Sequence, residues 1–328
     1  MTSRTIQISL PAIGEEELSA VIEPLKSGWV TQGPRVVAFE KAFALRHQVP
    51  HALAVTSCTT GLHLALAALG IGPGDEVIIP AFTWVATANV ILYCGATPVF
   101  VDVDAVTNNI DINAISSKLT ENTKAIIAVH LFGLCADIDA IRKLIPPHVS
   151  IIEDAACASG ASLRGVPAGG LGDIGVFSFH PRKTITTGEG GMVTTVHAEL
   201  AEKMDQMRNH GAQVSEEQRH AGPKPYLLPD FHLLGFNYRM TDMQGAVGVV
   251  QLQKLDKFID ERSQRAAYYH EKLRHIAWLQ LPFESEEFGH GWQAYVTTVL
   301  PEKAPMPRNE MMEILQSKGI ATRPGTHA

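Results

Sequence analysis

From residue 51 onward, short apolar runs alternate with stretches in which apolar residues recur every three or four positions. Ala52 to Val55, Glu76 to Ile79, Thr97 to Val101, Ala125 to Val129 and Val149 to Ile152 each predict a strand. Between them, Leu62, Ala65, Leu66 and Leu69 form a helical stripe that Gly70 stops. Thr83-Trp84 is expected to open a helix through Leu92, and Asn113 to Leu119 and Ile138 to Leu144 predict two more. Ile174 to Phe179 and Met192 to Val196 follow as strands, and Ala198 to Arg208 as a helix. Apolar, β-branched strands that alternate with helices predict a mostly parallel sheet covered on both sides. Ligands of such sheets sit beyond the carboxyl ends of the strands.

Before this core the pattern predicts a helix from Glu15 to Lys26 and a turn-rich stretch, SGWVTQGP. A second helix carries Val36, Phe39, Phe43 and Ala44 on one face. After the core, Thr241 and Gln244 have the spacing of a capping box. They predict a long helix whose buried face is Ala246, Val250, Leu252, Leu255 and Ile259, running on through Tyr268 and Leu273. Gly291 to Leu300 predicts a strand, and Glu310 to Lys318 a helix with Gly319 as its stop. The polar, proline-broken segment from Ala212 to Pro229 is expected to be a mobile loop over the site or at a subunit contact. The organisation expected is an N-terminal segment (1–34), a large domain (35–250) and a smaller α+β C-terminal domain (251–328), short or truncated at its TRPGTHA end.

A chain of 328 residues can bury a large core in two domains. The net charge of −7 and the absence of a basic run argue against nucleic acid as a partner. No apolar stretch is long enough to span a bilayer, and the N-terminus lacks an apolar signal core. A cytoplasmic protein is therefore expected. The four cysteines are scattered without CxxC spacing and read as free thiols of a reducing compartment. The 14 histidines show no metal-ligand pattern, so no metal is expected.

Three stretches carry chemistry. Phe177 to Gly191 (FSFHPRKTITTGEGG) places Ser178, His180 and the single Lys183 at the end of an apolar strand, before a glycine-rich turn. A lysine at the mouth of a buried strand can lose its proton and attack a carbonyl. Thr56 to Gly61 joins a strand to a helix N-terminus, where free N–H groups and the helix dipole suit a phosphate; such hydroxyls also serve as plain caps. Glu153-Asp154 ends a strand and points an acid into the expected crevice.

The segment Ser178 to Gly191, S-F-H-P-x-K-x-I-T-T-G-E-G-G, resembles the cofactor-lysine segment of the DegT/DnrJ/EryC1/StrS family of pyridoxal-phosphate (PLP) sugar aminotransferases, which have aminotransferase fold type I. S-G-W-x-T-Q-G-P (27–34), E-D-A-A (153–156), R-x-H-G (208–211) and G-x-N-x-R-M-T-D (235–242) agree with it. The resemblance implies a three-layer αβα fold, with Lys183 bound to PLP as a Schiff base. Ser178 and the turn Cys58, Thr59 and Thr60 would hold the phosphate. Cys58 replaces the glycine of the family's S-G-T-A-A turn, and Thr60 an alanine. Asp154 would pair with the pyridine nitrogen, so that the ring accepts electrons, and Trp84 would stack on the ring. Cys157 stands beside the cofactor where the family has glutamine. Trp29, Thr31 and His180 would border the substrate. Asn237 would reach the phosphate in a neighbouring subunit's site, which implies a homodimer with shared sites.

The reaction implied is transfer of an amino group from an amino acid, L-glutamate in the family, to a nucleotide-linked keto sugar in amino-deoxysugar or cell-surface polysaccharide biosynthesis. A PLP sugar dehydratase of the same family is the alternative enzyme; those carry histidine in place of the lysine, and Lys183 argues against it. A non-catalytic regulatory paralogue is the alternative outside enzymes, to which Cys58, Cys157 and the short C-terminus leave room.

Overall fold

The structure, a computed structural model, describes residues 5–214, 222–223, 226 and 228–325. The chain begins with α1 (Glu15–Ser27), α2 (Pro34–Arg46), β1 (His51–Val55), α3 (Cys58–Ala68), β2 (Glu76–Pro80), α4 (Ala86–Tyr93) and β3 (Thr97–Val101). It continues through α5 (Ile112–Ile115), β4 (Thr123–Val129), α6 (Ile138–Leu144), β5 (Ser150–Asp154), β6 (Ser162–Leu163), β7 (Val166–Pro167), β8 (Ile174–Ser178), β9 (Gly191–Thr195) and α7 (Ala198–Arg208). Then come α8 (Asp242–Gln253), α9 (Leu255–Leu273), β10 (Leu279–Gln280), β11 (Phe288–Gly289), β12 (Thr298–Val299) and α10 (Arg308–Ser317).

Seven strands form the central sheet in the order β1-β9-β8-β5-β4-β2-β3. All pairs are parallel except those of β9, which runs antiparallel to both β1 and β8. Successive residues of a strand face opposite sides of the sheet, and both sides are apolar here. Val77, Ile79, Ile127, Ile152 and Val176 join Leu62, Leu66 and Met204 in one core. On the other side Ala54, Phe177 and Met192 pack with Phe39, Phe43 and Leu252, while Ile78, Ile126 and Ile151 pack with Ile141. This is the three-layer α/β architecture expected from the alternating pattern.

Several expected elements differ. The helix expected from Thr83 begins at Ala86, and the one expected over Asn113 to Leu119 is a four-residue α5 continued by a 3-10 turn (Ser116–Lys118). The long helix starts as expected, with Thr241 and Gln244 forming the capping box. It breaks at Lys254, however, whose ammonium reaches back to Glu16 and Glu17 of α1. The boundary expected after residue 250 falls within α8, one turn before that break. The strand expected over Gly291 to Leu300 reduces to β12, which pairs with β10. The rest of that run spends its backbone on a loop: Gly291 N–H donates to Gly133 O at 2.7 Å and Ala294 N–H to Phe132 O at 3.3 Å. The expected loop from Ala212 to Pro229 lies largely outside the described residues.

Candidate active site

The sheet register gathers the chemical residues at one end. Gly191, the first residue of β9, pairs with Val55 at the end of β1 and with Ser178 at the end of β8. A Cβ on Gly191 would lie 2.6 Å from Ser57 C, 2.8 Å from Cys58 N and 2.8 Å from Phe177 O. Only glycine lets the turn after β1 approach β8 this closely. Asp154, at the end of β5, pairs with Val176 in β8.

The two acids ending β5 point to opposite faces. Glu153 is fully buried and turned away from Lys183's side. It accepts from His130 Nε2 at 2.8 Å and from the N–H groups of Gly169, Leu171 and Gly172 at 2.7, 2.9 and 2.6 Å. His130 Nδ1 accepts from Ala136 N–H at 3.0 Å, which leaves the ring proton on Nε2. Asp154 faces α3 and α4. Its Oδ2 accepts from Thr87 Oγ1 at 2.9 Å, and its Oδ1 from Ala156 N–H at 3.2 Å and the Cys58 thiol at 3.8 Å. Thr83 Oγ1 lies 3.1 Å from Thr87 Oγ1. The sequence gives Thr87 no site role, because a threonine inside a helical stretch carries no chemical signal of its own. Trp84 lies between the two threonines, 54% exposed.

The turn into α3 is capped from within. Ser57 accepts from Thr60 N–H at 3.1 Å, and Thr60 Oγ1 accepts from Ser57 N–H at 3.0 Å and donates to Ser57 O at 2.8 Å. The Thr60 hydroxyl and N–H, within the turn expected to hold the phosphate, are thus committed to the capping box. The first intrahelical bond runs from Gly61 N–H to Ser57 O. The N–H groups of Cys58 and Thr59 therefore precede any helical acceptor and are left for an anion. Ser178 is buried beside this turn, its Oγ 3.4 Å from His180 N–H.

Lys183 sits in the connection between β8 and β9. That connection is closed by Phe179 N–H to Gly190 O (2.9 Å) and Thr187 N–H to Phe179 O (3.0 Å). Gln244 and Gln251 of α8 brace it, through Glu189 O at 2.7 Å and Thr186 N–H at 3.2 Å. Lys183 Nζ donates to Cys157 Sγ at 3.2 Å. Burial disfavours the ammonium, but the hydrogen bond to Cys157 and the nearby Asp154 outweigh it and raise the Lys183 pKa. Burial and the charge of Asp154 hold the Cys58 thiol well above its ordinary range, so it is a neutral donor. Burial lowers the pKa of His180, whose Nδ1 accepts from Arg182 N–H at 3.2 Å.

The remaining expected residues lie on α8 and beside the turn into α3. Trp29 Nε1 donates to Gln32 O at 3.0 Å, and Thr31 O accepts from Asp242 N–H at 3.0 Å, which docks the SGWVTQGP segment on the start of α8. Asn237 is exposed and pairs by backbone with Asn209, while the next residue's carbonyl accepts from Thr56 N–H at 3.0 Å, alongside the turn into α3. Among the described residues, no group of three metal-ligating side chains is found.

One end of the sheet thus offers an amine, a fixed carboxylate and two free N–H groups, the donor set that a pyridine ring with an aldehyde and a phosphate requires. The chain matches the model of the DegT/DnrJ/EryC1/StrS aminotransferase family over residues 11–325. It is 41% identical to the GDP-perosamine synthase of Caulobacter vibrioides, over 98% of this chain and 84% of that one. It is 40% identical to the spore coat polysaccharide biosynthesis protein SpsC of Bacillus subtilis, over 94% and 80%. Among solved structures, a chain from Streptococcus pneumoniae described as a sugar aminotransferase, in its PMP form, superposes with a TM-score of 0.89 at 29% identity, covering 99% of this chain and 84% of that one. The sequence motifs, the fold and these relatives agree, and the protein belongs to the DegT/DnrJ/EryC1/StrS family of PLP-dependent sugar aminotransferases.

Proposed function

We propose that this enzyme moves an amino group from L-glutamate to the keto carbon of a nucleotide-linked sugar, with Lys183 as the residue that holds PLP and carries the proton. The observation that supports this reading is the convergence of Lys183, Asp154 and the N-terminus of α3 at one end of the sheet. When bound, PLP supplies an electron sink for the carbanion left at the donor's Cα. The Lys183 Nζ takes the Cα proton and later returns one to the sugar carbon, acting as base and then acid. Asp154, fixed by Thr87 and Ala156, holds a negative charge against the pyridine nitrogen. The N–H groups of Cys58 and Thr59 and the hydroxyl of Ser178 bind the phosphate. Trp29, Thr31 and His180 line the sugar side, and His180 is neutral there at pH 7.

The 41% identical relative is a GDP-perosamine synthase, which makes a GDP-linked keto sugar the first acceptor to try. Asn237, exposed beside the α3 turn, would complete the site of a second copy in a homodimer. The four cysteines are free in the structure, in keeping with work in a reducing cytoplasm. The test is incubation of PLP-loaded protein with L-glutamate and the keto sugar nucleotide, with detection of the amino sugar by mass spectrometry. Wild type should form it and Lys183→Ala should not. Full turnover by Lys183→Ala would remove Lys183 from its role, and elimination of water without amine transfer would favour the dehydratase.

A further inference from the structure

The contact between Cys157 and Lys183 is not used by the transfer reaction, yet it sets a thiol against the amine on which the cofactor depends. We propose that Cys157 and Lys183 form an oxidative modification site, at which a peroxide joins the two side chains and so blocks loading of PLP. The inference goes beyond the proposed function and rests on the 3.2 Å contact itself.

The chemistry has two balanced steps. A peroxide takes an electron pair from the Cys157 sulfur, its O–O bond breaks, and Cys157 becomes a sulfenic acid while the other oxygen leaves, with the thiol proton, as water or alcohol. The lone pair of Lys183 Nζ then attacks that sulfur. The S–N bond forms, the S–O bond breaks, and the hydroxyl departs as water with one proton of the amine. A second proton, if the lysine starts as an ammonium, goes to solvent. Net, the peroxide is reduced by two electrons and the protein is lighter by two hydrogens. Sulfenic acids are known to condense with nitrogen in this way.

Geometry and electrostatics favour this route over its competitors. Both side chains are half-buried, so a small oxidant can reach them. The amine is already in hydrogen-bond contact with the sulfur. The Cys157 sulfur, which accepts the Lys183 hydrogen bond, helps hold the proton on the amine. Oxidation of that sulfur removes this help, and burial then favours the neutral, nucleophilic amine. The rival nucleophile is Cys58, which would give a disulfide. Its thiol is directed to Asp154 Oδ1 at 3.8 Å and Val176 O at 3.7 Å, and burial with the Asp154 charge keeps it protonated and weakly nucleophilic. Bound PLP occupies Lys183 and so excludes the link.

The experiment treats PLP-free wild-type protein with stoichiometric hydrogen peroxide, then measures intact mass and maps peptides. The expected product has lost two hydrogens and carries the Cys157 peptide linked to the Lys183 peptide. It takes up no PLP, read as absence of the visible cofactor band, until a thiol reductant restores both mass and uptake. Preloading with PLP should prevent the link. Cys58→Ser should still form it. Cys157→Ser should not, and peroxide should leave its PLP uptake, whatever its level, the same as in the untreated variant. Recovery of Cys157 only as sulfenic or sulfinic acid, or joined to Cys58, would overturn the proposal. A Cys157–Lys183 link that leaves PLP uptake intact would overturn the claim of blocked loading and remove Lys183 as the cofactor lysine as well. A failed sugar transfer with the link still forming would sink the proposed acceptor alone.

Discussion

Replacing Gly191 by alanine tests whether the close approach of three elements builds the phosphate seat. The added Cβ would meet Ser57 C at 2.6 Å, Cys58 N at 2.8 Å and Phe177 O at 2.8 Å. All three are backbone atoms, so no side-chain rotation relieves the clash; β9, β8 or the start of α3 must move. Overpacking of this kind costs about 1–3 kcal/mol, and rigid surroundings put it near the upper end. With an unfolding entropy of about 2.1 cal/mol/K per residue, a loss of about 3 kcal/mol lowers the Tm by roughly 4 °C in a chain of this size. The atoms displaced include the Cys58 N–H assigned to the phosphate. Weakening one hydrogen bond to a charged group costs about 1.5–3 kcal/mol, so the Kd for PLP should rise about tenfold or more. Melting of the PLP-free protein and titration with PLP by visible absorbance measure the two effects separately. Gly72→Ala is the control, because its Cβ finds nothing nearer than Cys94 O at 3.9 Å. A lowered Tm with unchanged PLP affinity would show that Gly191 serves the sheet and not the seat. Wild-type values for both would refute the packing argument.

Thr87→Val removes the hydroxyl bond to Asp154 Oδ2 and leaves that oxygen unpaired in a buried place. A loss of about 1.5–3 kcal/mol should lower kcat about tenfold or more, and wild-type turnover would exclude Thr87 as the residue that holds the carboxylate. His47 is buried, stacked on Phe43 at 4.2 Å, with its Nδ1–H donated to Ala168 O, and burial lowers its pKa to about 4. Its neutral form is native, so its contribution is complete above the unfolded value near 6.5 and is lost as pH falls from there toward about 4, by up to roughly 3 kcal/mol. Denaturant unfolding of wild type and His47→Leu between pH 7 and pH 4 should show a shallower pH slope in the variant; equal slopes would reject the assignment. If sites are shared between subunits, mixing Asn237→Ala with Lys183→Ala protein under subunit exchange should restore activity that neither has alone. Mixtures no more active than their parts would place Asn237 outside the partner's site.

The sequence made legible what is local. Strand runs rich in Val and Ile announced the sheet because both faces are buried, and the lysine, aspartate and capped turn each sit in a short motif. The capping box of Thr241 and Gln244 depends on spacing alone and was found in place. What stayed hidden depends on partners far along the chain. Lys254 breaks the long helix without any proline or glycine to signal it, because its ammonium is drawn to Glu16 and Glu17, more than two hundred residues away in sequence. Gly291 to Leu300 has the composition of a strand, but its backbone groups are taken by the loop at Phe132 and Gly133. Thr60 looked like a phosphate ligand from its place in the turn. Its hydroxyl is committed to Ser57, a choice that only the helix geometry decides.

The direction of β9 is the feature least visible in the sequence and most consequential for the site. A continuous apolar run has no period that distinguishes parallel from antiparallel pairing. Had β9 been parallel to β8, the chain would have needed a crossover, usually a helix, to return to the start of the sheet. The antiparallel turn instead lets the chain reverse within Phe179 to Gly190, at the same end where β1, β5 and β8 finish. Lys183 is thereby carried on a short connection held at both ends by buried strands and braced by Gln244 and Gln251, so little of its backbone is free to move. A reactive amine on a long crossover would sample many positions, and its placement against Asp154 would have to be recovered at each turnover. The one reversed strand in an otherwise parallel sheet is therefore the structural condition for a fixed Lys183, and Gly191, where that strand begins, ties the lysine connection to the turn into α3.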